Sequence, residues 1–139
     1  MFRTISLALL ATVGLAFAGC GPSVGPRTTA GPIMVKVLGV DGKPLKDVTI
    51  SFSPTTANQL PGDFILDGDG APAKSVQGGP PELIPGTYSI YFQESSGKSA
   101  ERSKFATAFK AVPKKYTLQG QTGLELPIGS ADQTITLTP

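Results

Sequence analysis

The sequence predicts an all-β protein: a single antiparallel β-sandwich of about seven strands, set behind a signal peptide and a short tether. Three observations carry this expectation. Several short runs alternate apolar and polar residues with period two, as strands buried on one face do. Seventeen glycines and thirteen prolines punctuate 139 residues, so few segments run long enough for helices. An apolar content of 40% is enough for one packed core, and the length suits one domain.

Residues 1–19 read as an export signal. Arg3 supplies the single positive charge of a short start, and Ile5 to Phe17 contains no charged residue. That run suits a signal-peptide apolar region and is too short to span a bilayer as a helix. It closes on Phe17-Ala18-Gly19-Cys20, whose cysteine is the only one in the chain. The small residues Ala16 and Ala18 would also serve an ordinary signal peptidase, which would leave a secreted protein with an odd thiol. An exposed odd thiol is a liability in an oxidising compartment.

Residues 20–32 are expected to form a tether. Gly21 to Pro32 holds Pro22, Pro26 and Pro32 among glycines, a composition that supports neither a helix nor a central strand.

Residues 33–139 carry the strands. Ile33 to Val40 is apolar on both faces and is expected to lie deep or under a loop. Asp41-Gly42 is a turn in which glycine takes a positive φ, and Leu45 is placed to cap the core. Val48, Ile50 and Phe52 share one face of a strand, and Tyr88, Ile90 and Phe92 share another. Leu124, Leu126 and Ile128 form a third set, and Ile135 with Leu137 a fourth. Between them, residues 54–85 are too long for a featureless loop and are expected to hold one or two short edge strands. The Tyr88 ring is expected in the core with its hydroxyl satisfied at an edge.

Two stretches of the chain resemble known families. Phe17-Ala18-Gly19-Cys20 resembles the bacterial lipobox, with Phe17 where leucine is commonest. The resemblance implies cleavage between Gly19 and Cys20, a diacylglyceryl group on the Cys20 thiol and a further acyl chain, such as palmitate, on the new amino group. Gly21 rather than aspartate after the cysteine favours the outer membrane in a Gram-negative cell. Asp41-Gly42-Lys43-Pro44-Leu45, the strand from Val48 to Ser53 and Pro85-Gly86-Thr87-Tyr88-Ser89-Ile90 resemble carboxypeptidase regulatory-like domains of prealbumin (transthyretin-like) topology, which implies a prealbumin-like or immunoglobulin-like sandwich. Val112-Pro113-Lys114-Lys115-Tyr116 and Gln121-Thr122-Gly123-Leu124 are similar to the closing quarter of small bacterial lipoproteins built on that domain. The middle departs from the pattern: Asp67-Gly68-Asp69-Gly70 leads into a weak segment, Ala73 to Val76.

Catalytic equipment is sparse. The chain contains no histidine, which removes the commonest general base, the usual zinc ligand and every Ser–His or Cys–His pair. Hydroxyisourate hydrolysis, known on prealbumin topology, depends on histidines and a Tyr-Arg-Gly-Ser end, whereas this chain ends Thr-Ile-Thr-Leu-Thr-Pro. Asp67 and Asp69 do not satisfy a calcium loop, because the twelfth position from Asp67 is Gly78, so a turn is expected. The pairs Asp67/Asp69 and Glu94/Glu101 show no pocket that would shift a pKa. Ser99/Lys98 and Ser103/Lys104 fall in a stretch read as loop. No catalytic, cofactor-binding or metal-ligating residue is therefore assigned, and the chain is expected not to be an enzyme.

One electrostatic feature stands out. Lys98, Arg102, Lys104, Lys110, Lys114 and Lys115 face Glu101 alone across residues 98–115. A solvated loop and strand rim is the expected reading, and attraction to anionic headgroups or envelope polymers is the functional one. The function expected is a membrane-anchored envelope lipoprotein whose sandwich is a structural or protein-interaction module. Its partners would be the membrane, through the acyl chains on Cys20, and an envelope protein or polymer, not nucleic acid. The alternatives are a small-ligand or glycan-binding lipoprotein, for which only Tyr91 and Tyr116 are expected outward, and an accessory subunit of an envelope complex.

Overall fold

A computed structural model describes residues 29–129 and 131–139 of the chain. The elements in chain order are β1 (Gly31–Pro32), β2 (Val35–Leu38), β3 (Val48–Pro54), β4 (Gly62–Leu66), β5 (Pro72–Ser75), β6 (Glu82–Leu83) and β7 (Gly86–Glu94). The helix α1 (Arg102–Phe109), a 3-10 turn (Lys114–Tyr116), β8 (Glu125–Ile128) and β9 (Gln133–Thr136) follow. The protein is thus built mainly of strands, with one short α-helix among the described residues.

Five strands make an antiparallel sheet in the order β5-β4-β3-β7-β8. At its centre Val48 pairs with Glu94, Phe52 with Ile90 and Pro54 with Tyr88. The predicted face holds: Val48, Ile50, Phe52, Tyr88, Ile90 and Phe92 are all at most 1% exposed. Phe52 meets the rings of Phe64 and Tyr88 edge-on, at centroid distances of 5.8 and 6.1 Å. Such edge-to-face packing adds to the gain from removing three rings from water. The Tyr88 hydroxyl donates to the Ile84 carbonyl at 2.8 Å.

The other face of β3 departs from simple alternation. Thr49 and Ser51 are buried as well, because β3 is flanked on both sides and its small side chains lie beneath longer neighbours. Their hydroxyls are satisfied there. Thr49 Oγ1 and Ser95 Oγ are 2.9 Å apart, and Gln93 Nε2 donates to Ser51 Oγ at 2.8 Å.

A second sheet pairs β2 with β9, and its strands run parallel, with Val37 opposite Ile135. This corrects a wholly antiparallel arrangement. Both strands start from the same end of the domain, β2 after β1 and β9 after β8, so they run in the same direction. The crossover that parallel pairing needs is supplied by nearly the whole domain. Val35, Val37, Ile135 and Leu137 join the side chains of the large sheet in one core. Ile33 to Val40 is also corrected: Ile33, Val35 and Val37 are buried while Met34 and Lys36 are exposed. The run is therefore one-sided, and Lys36 marks its solvent face.

Residues 54–85 hold three strands rather than one or two. β5 is an edge strand, β4 lies inside the sheet beside β3, and β6 pairs with β1. Residues 98–115, expected as loop and rim, contain α1 and the start of the 3-10 turn. Phe105, Ala108, Phe109 and Val112 have the i, i+3, i+4, i+7 spacing of one helical face. Phe105 and Val112 are buried, and Ala108, Phe109 and Val112 pack on the core. Pro113 then ends the helical path, since the residue before proline is driven out of the α region.

Candidate functional site

The expected lipidation site, Cys20, and the expected cleavage position between Gly19 and Cys20 lie outside the described residues. The chain enters the described structure at Thr29, and Gly31–Pro32, expected at the end of the tether, pair with Leu83 and Glu82. Strand registers place this entry at a definite end of the domain. Gly86 opposite Ile128 and Phe52 opposite Gly62 lie at the entry end. Val48 opposite Glu94, the 39–47 loop and α1 lie at the far end. A nine-residue strand such as β7 spans about 30 Å, which sets the separation.

The far end carries most of the charged side chains that the sequence singled out. Lys98, Arg102, Lys104, Lys110, Lys114 and Lys115 are all exposed. They do not converge. At about 100° per residue, Arg102, Lys104 and Lys110 project from three different sides of α1. Lys104 Nζ is 2.8 Å from Asp47 Oδ1, the one ion pair among the described residues. The hydrogen bond and charge of Asp47 raise the Lys104 pKa above its ordinary value. Lys115 Nζ donates to Thr138 Oγ1 at 3.0 Å and lies 5.1 Å from the Tyr116 ring centroid. Two of the six cations thus brace the fold, joining α1 to the start of β3 and the 3-10 turn to the end of β9.

Asp47 itself is the only residue other than glycine with a positive φ among the described residues, at 59°. Nothing in the residue pattern marks it except its place between the turn and β3. It orients the carboxylate toward α1.

The other candidates resolve into structural roles. Asp67 Oδ1 accepts from the Asp69 and Ala71 amides at 2.9 and 3.1 Å, which makes residues 67–71 a tight side-chain-braced turn. Asp41 does the same for Lys43 at 3.0 Å, with Gly42 at φ 75°. Glu94 ends β7, and Glu101 precedes the first turn of α1. Ser103 and Lys104 sit on α1 rather than in a loop, and Lys104 turns to Asp47. Ser99 and Lys98 are both exposed in the segment before the helix.

Tyr91 is half-buried on the outer face of the large sheet and its hydroxyl accepts from Gln93 Nε2 at 3.1 Å. Tyr116, expected outward, is buried in the core. Its hydroxyl lies 2.9 Å from Thr138 Oγ1, and that hydrogen bond lowers its pKa against the opposing effect of burial. Its burial was not visible as an alternation because it lies in the 3-10 turn, not in a strand.

The entry end is different in character. Two shallow concavities flank the β1–β6 pair and share Leu83 as a wall. Leu60 and Met34 stand at them with 70% and 52% of their surface exposed. No helix among the described residues is long and apolar enough to cross a membrane. No family model, curated protein or solved structure matches the chain.

Proposed function

We propose that the chain is a lipid-anchored protein of the bacterial envelope whose β-domain is a non-enzymatic interaction or structural module. The observation that carries this reading is the uncharged run from Ile5 to Phe17 closing on Phe17-Ala18-Gly19 and the sole cysteine, Cys20. β1 begins eleven residues later. One acyl chain holds a protein to a bilayer only marginally and two hold it stably, so a triacylated Cys20 anchors the domain outside the cytoplasm. Gly21 directs it to the outer membrane if the cell is Gram-negative.

The domain is read as a two-layer sandwich of the prealbumin-like, carboxypeptidase regulatory-like kind. Supporting this, the five-stranded sheet and the β2–β9 pair both contribute to a single core, to which the short β1–β6 pair, a third sheet, adds Leu83. Such domains present loops and edges to partners. The dispersed cations of residues 98–115 suit a broad contact better than a compact anion pocket.

Crosslinking in intact cells, with a photoreactive residue replacing exposed Lys110, tests the interaction reading. It is expected to recover a discrete envelope protein or polymer. Recovery of the chain crosslinked only to itself and to lipid contradicts the reading.

A further inference from the structure

We infer that the entry end of the domain is a membrane-contacting face, seated on the lipid surface that receives the acyl chains of Cys20. The inference rests on the lipoprotein reading and adds an orientation to it.

The surface is apolar where it should be. One concavity beside β1–β6 is lined by Ala30, Leu60, Pro61 and Ile84 among others, and the second by Pro32, Met34, Pro85 and Ala131. Across both, Glu82 is the one charged lining residue among those described. At the far end the concavities beside α1 have apolar walls too, Val40 and Ala108 among them, but Asp41, Lys43, Lys46, Asp47 and Lys104 are set into them. Large exposed apolar side chains rimmed by prolines and glycines, with no cation among the described lining residues, match the interfacial zone of a neutral, zwitterionic bilayer. They do not match anionic headgroups, which would select lysine and arginine.

The covalent chain supplies the proximity. Nine peptide units separate Cys20 from Thr29, so the entry point lies at most about 32 Å from the acylated residue. A weak apolar contact is sufficient under that constraint, because tethering makes it intramolecular. With the entry end down, the exposed cations of α1 point away from the bilayer. They are left to meet a partner across the aqueous space.

The chain contains no tryptophan, so a single introduced indole reports its own surroundings. The full-length gene is expressed with Leu60→Trp, or with Lys110→Trp at the far end, and the product is purified from membranes. It is reconstituted into phosphatidylcholine vesicles with brominated acyl chains. Mass spectrometry of the same sample reads acylation, which tests the lipoprotein reading separately. If the chain is unacylated, its sole thiol is coupled to a maleimide-headgroup lipid and the quenching is measured again.

The Leu60→Trp emission is expected to shift to the blue on vesicles and to be quenched at least about twofold by brominated lipid, with Lys110→Trp unchanged. Equal or absent quenching at the two positions overturns the inference in either attachment. A blue shift of Leu60→Trp without lipid also overturns it. If that shift depends on protein concentration, the occupant is a second copy; if not, it is the chain's own segment 20–28.

Discussion

The Val37 amide donates to the Gly70 carbonyl across 2.8 Å, tying the β4–β5 turn to β2. Gly70 has φ 76°, and a Cβ built there would run into the Val37 carbonyl oxygen. Gly70→Ala therefore combines left-handed strain with a backbone clash and is expected to destabilise the fold by about 3 kcal/mol. Urea unfolding checks the value. Gly68→Ala in the same turn, where nothing lies within 4 Å, is the control.

Asp47 holds a left-handed backbone and a carboxylate paired with Lys104. Asp47→Ala and Asp47→Gly both delete the carboxylate, but only glycine relaxes the backbone. The alanine variant is expected to be less stable than the glycine variant by about 1 kcal/mol. Equal stabilities would show that the φ of 59° carries no strain.

The buried Thr49 and Ser95 hydroxyls satisfy each other. Ser95→Ala leaves Thr49 without its partner and is expected to cost about 1–2 kcal/mol. A double-mutant cycle with Thr49→Val should return a coupling of about 1 kcal/mol. Additive single losses would mean that the two hydroxyls act separately.

Burial raises the Tyr88 pKa above its ordinary 10.0. The phenolate is thus favoured in the unfolded chain. The associated stability is present below the unfolded value and is lost as pH rises through the raised folded one. Tyr88→Phe should lose about 1 kcal/mol near neutral pH with the Ile84 hydrogen bond. It should also show a shallower decline of stability above about pH 10 than the parent, measured by urea unfolding across that range. Lys104 and Tyr116 remain in both proteins, so their shifts do not obscure the difference.

The strands Val48–Pro54 and Gly86–Glu94 were legible because strict period two in sequence has one physical meaning, an extended chain with one apolar face. α1 was legible in principle, through Phe105, Ala108, Phe109 and Val112, but exposed cations around it masked a narrow apolar face on only eight helical residues. The parallel β2–β9 pairing was not legible, since it depends on which end of the domain both strands start from. Burial of Tyr116 likewise follows from its neighbour Thr138, 22 residues away. The proposed lipobox at residues 17–20, by contrast, is read from contiguous residues, because a processing enzyme would recognise a short segment rather than a fold.

Labelled palmitate tests directly whether Cys20 is the anchor. Cells expressing the parent chain and Cys20→Ser are fed the label, and each product is examined for incorporation and for removal of residues 1–19. The parent is expected to be cleaved before Cys20 and labelled, and the variant to persist as unlabelled precursor. A Cys20→Ser chain that is cleaved and labelled like the parent would contradict the account.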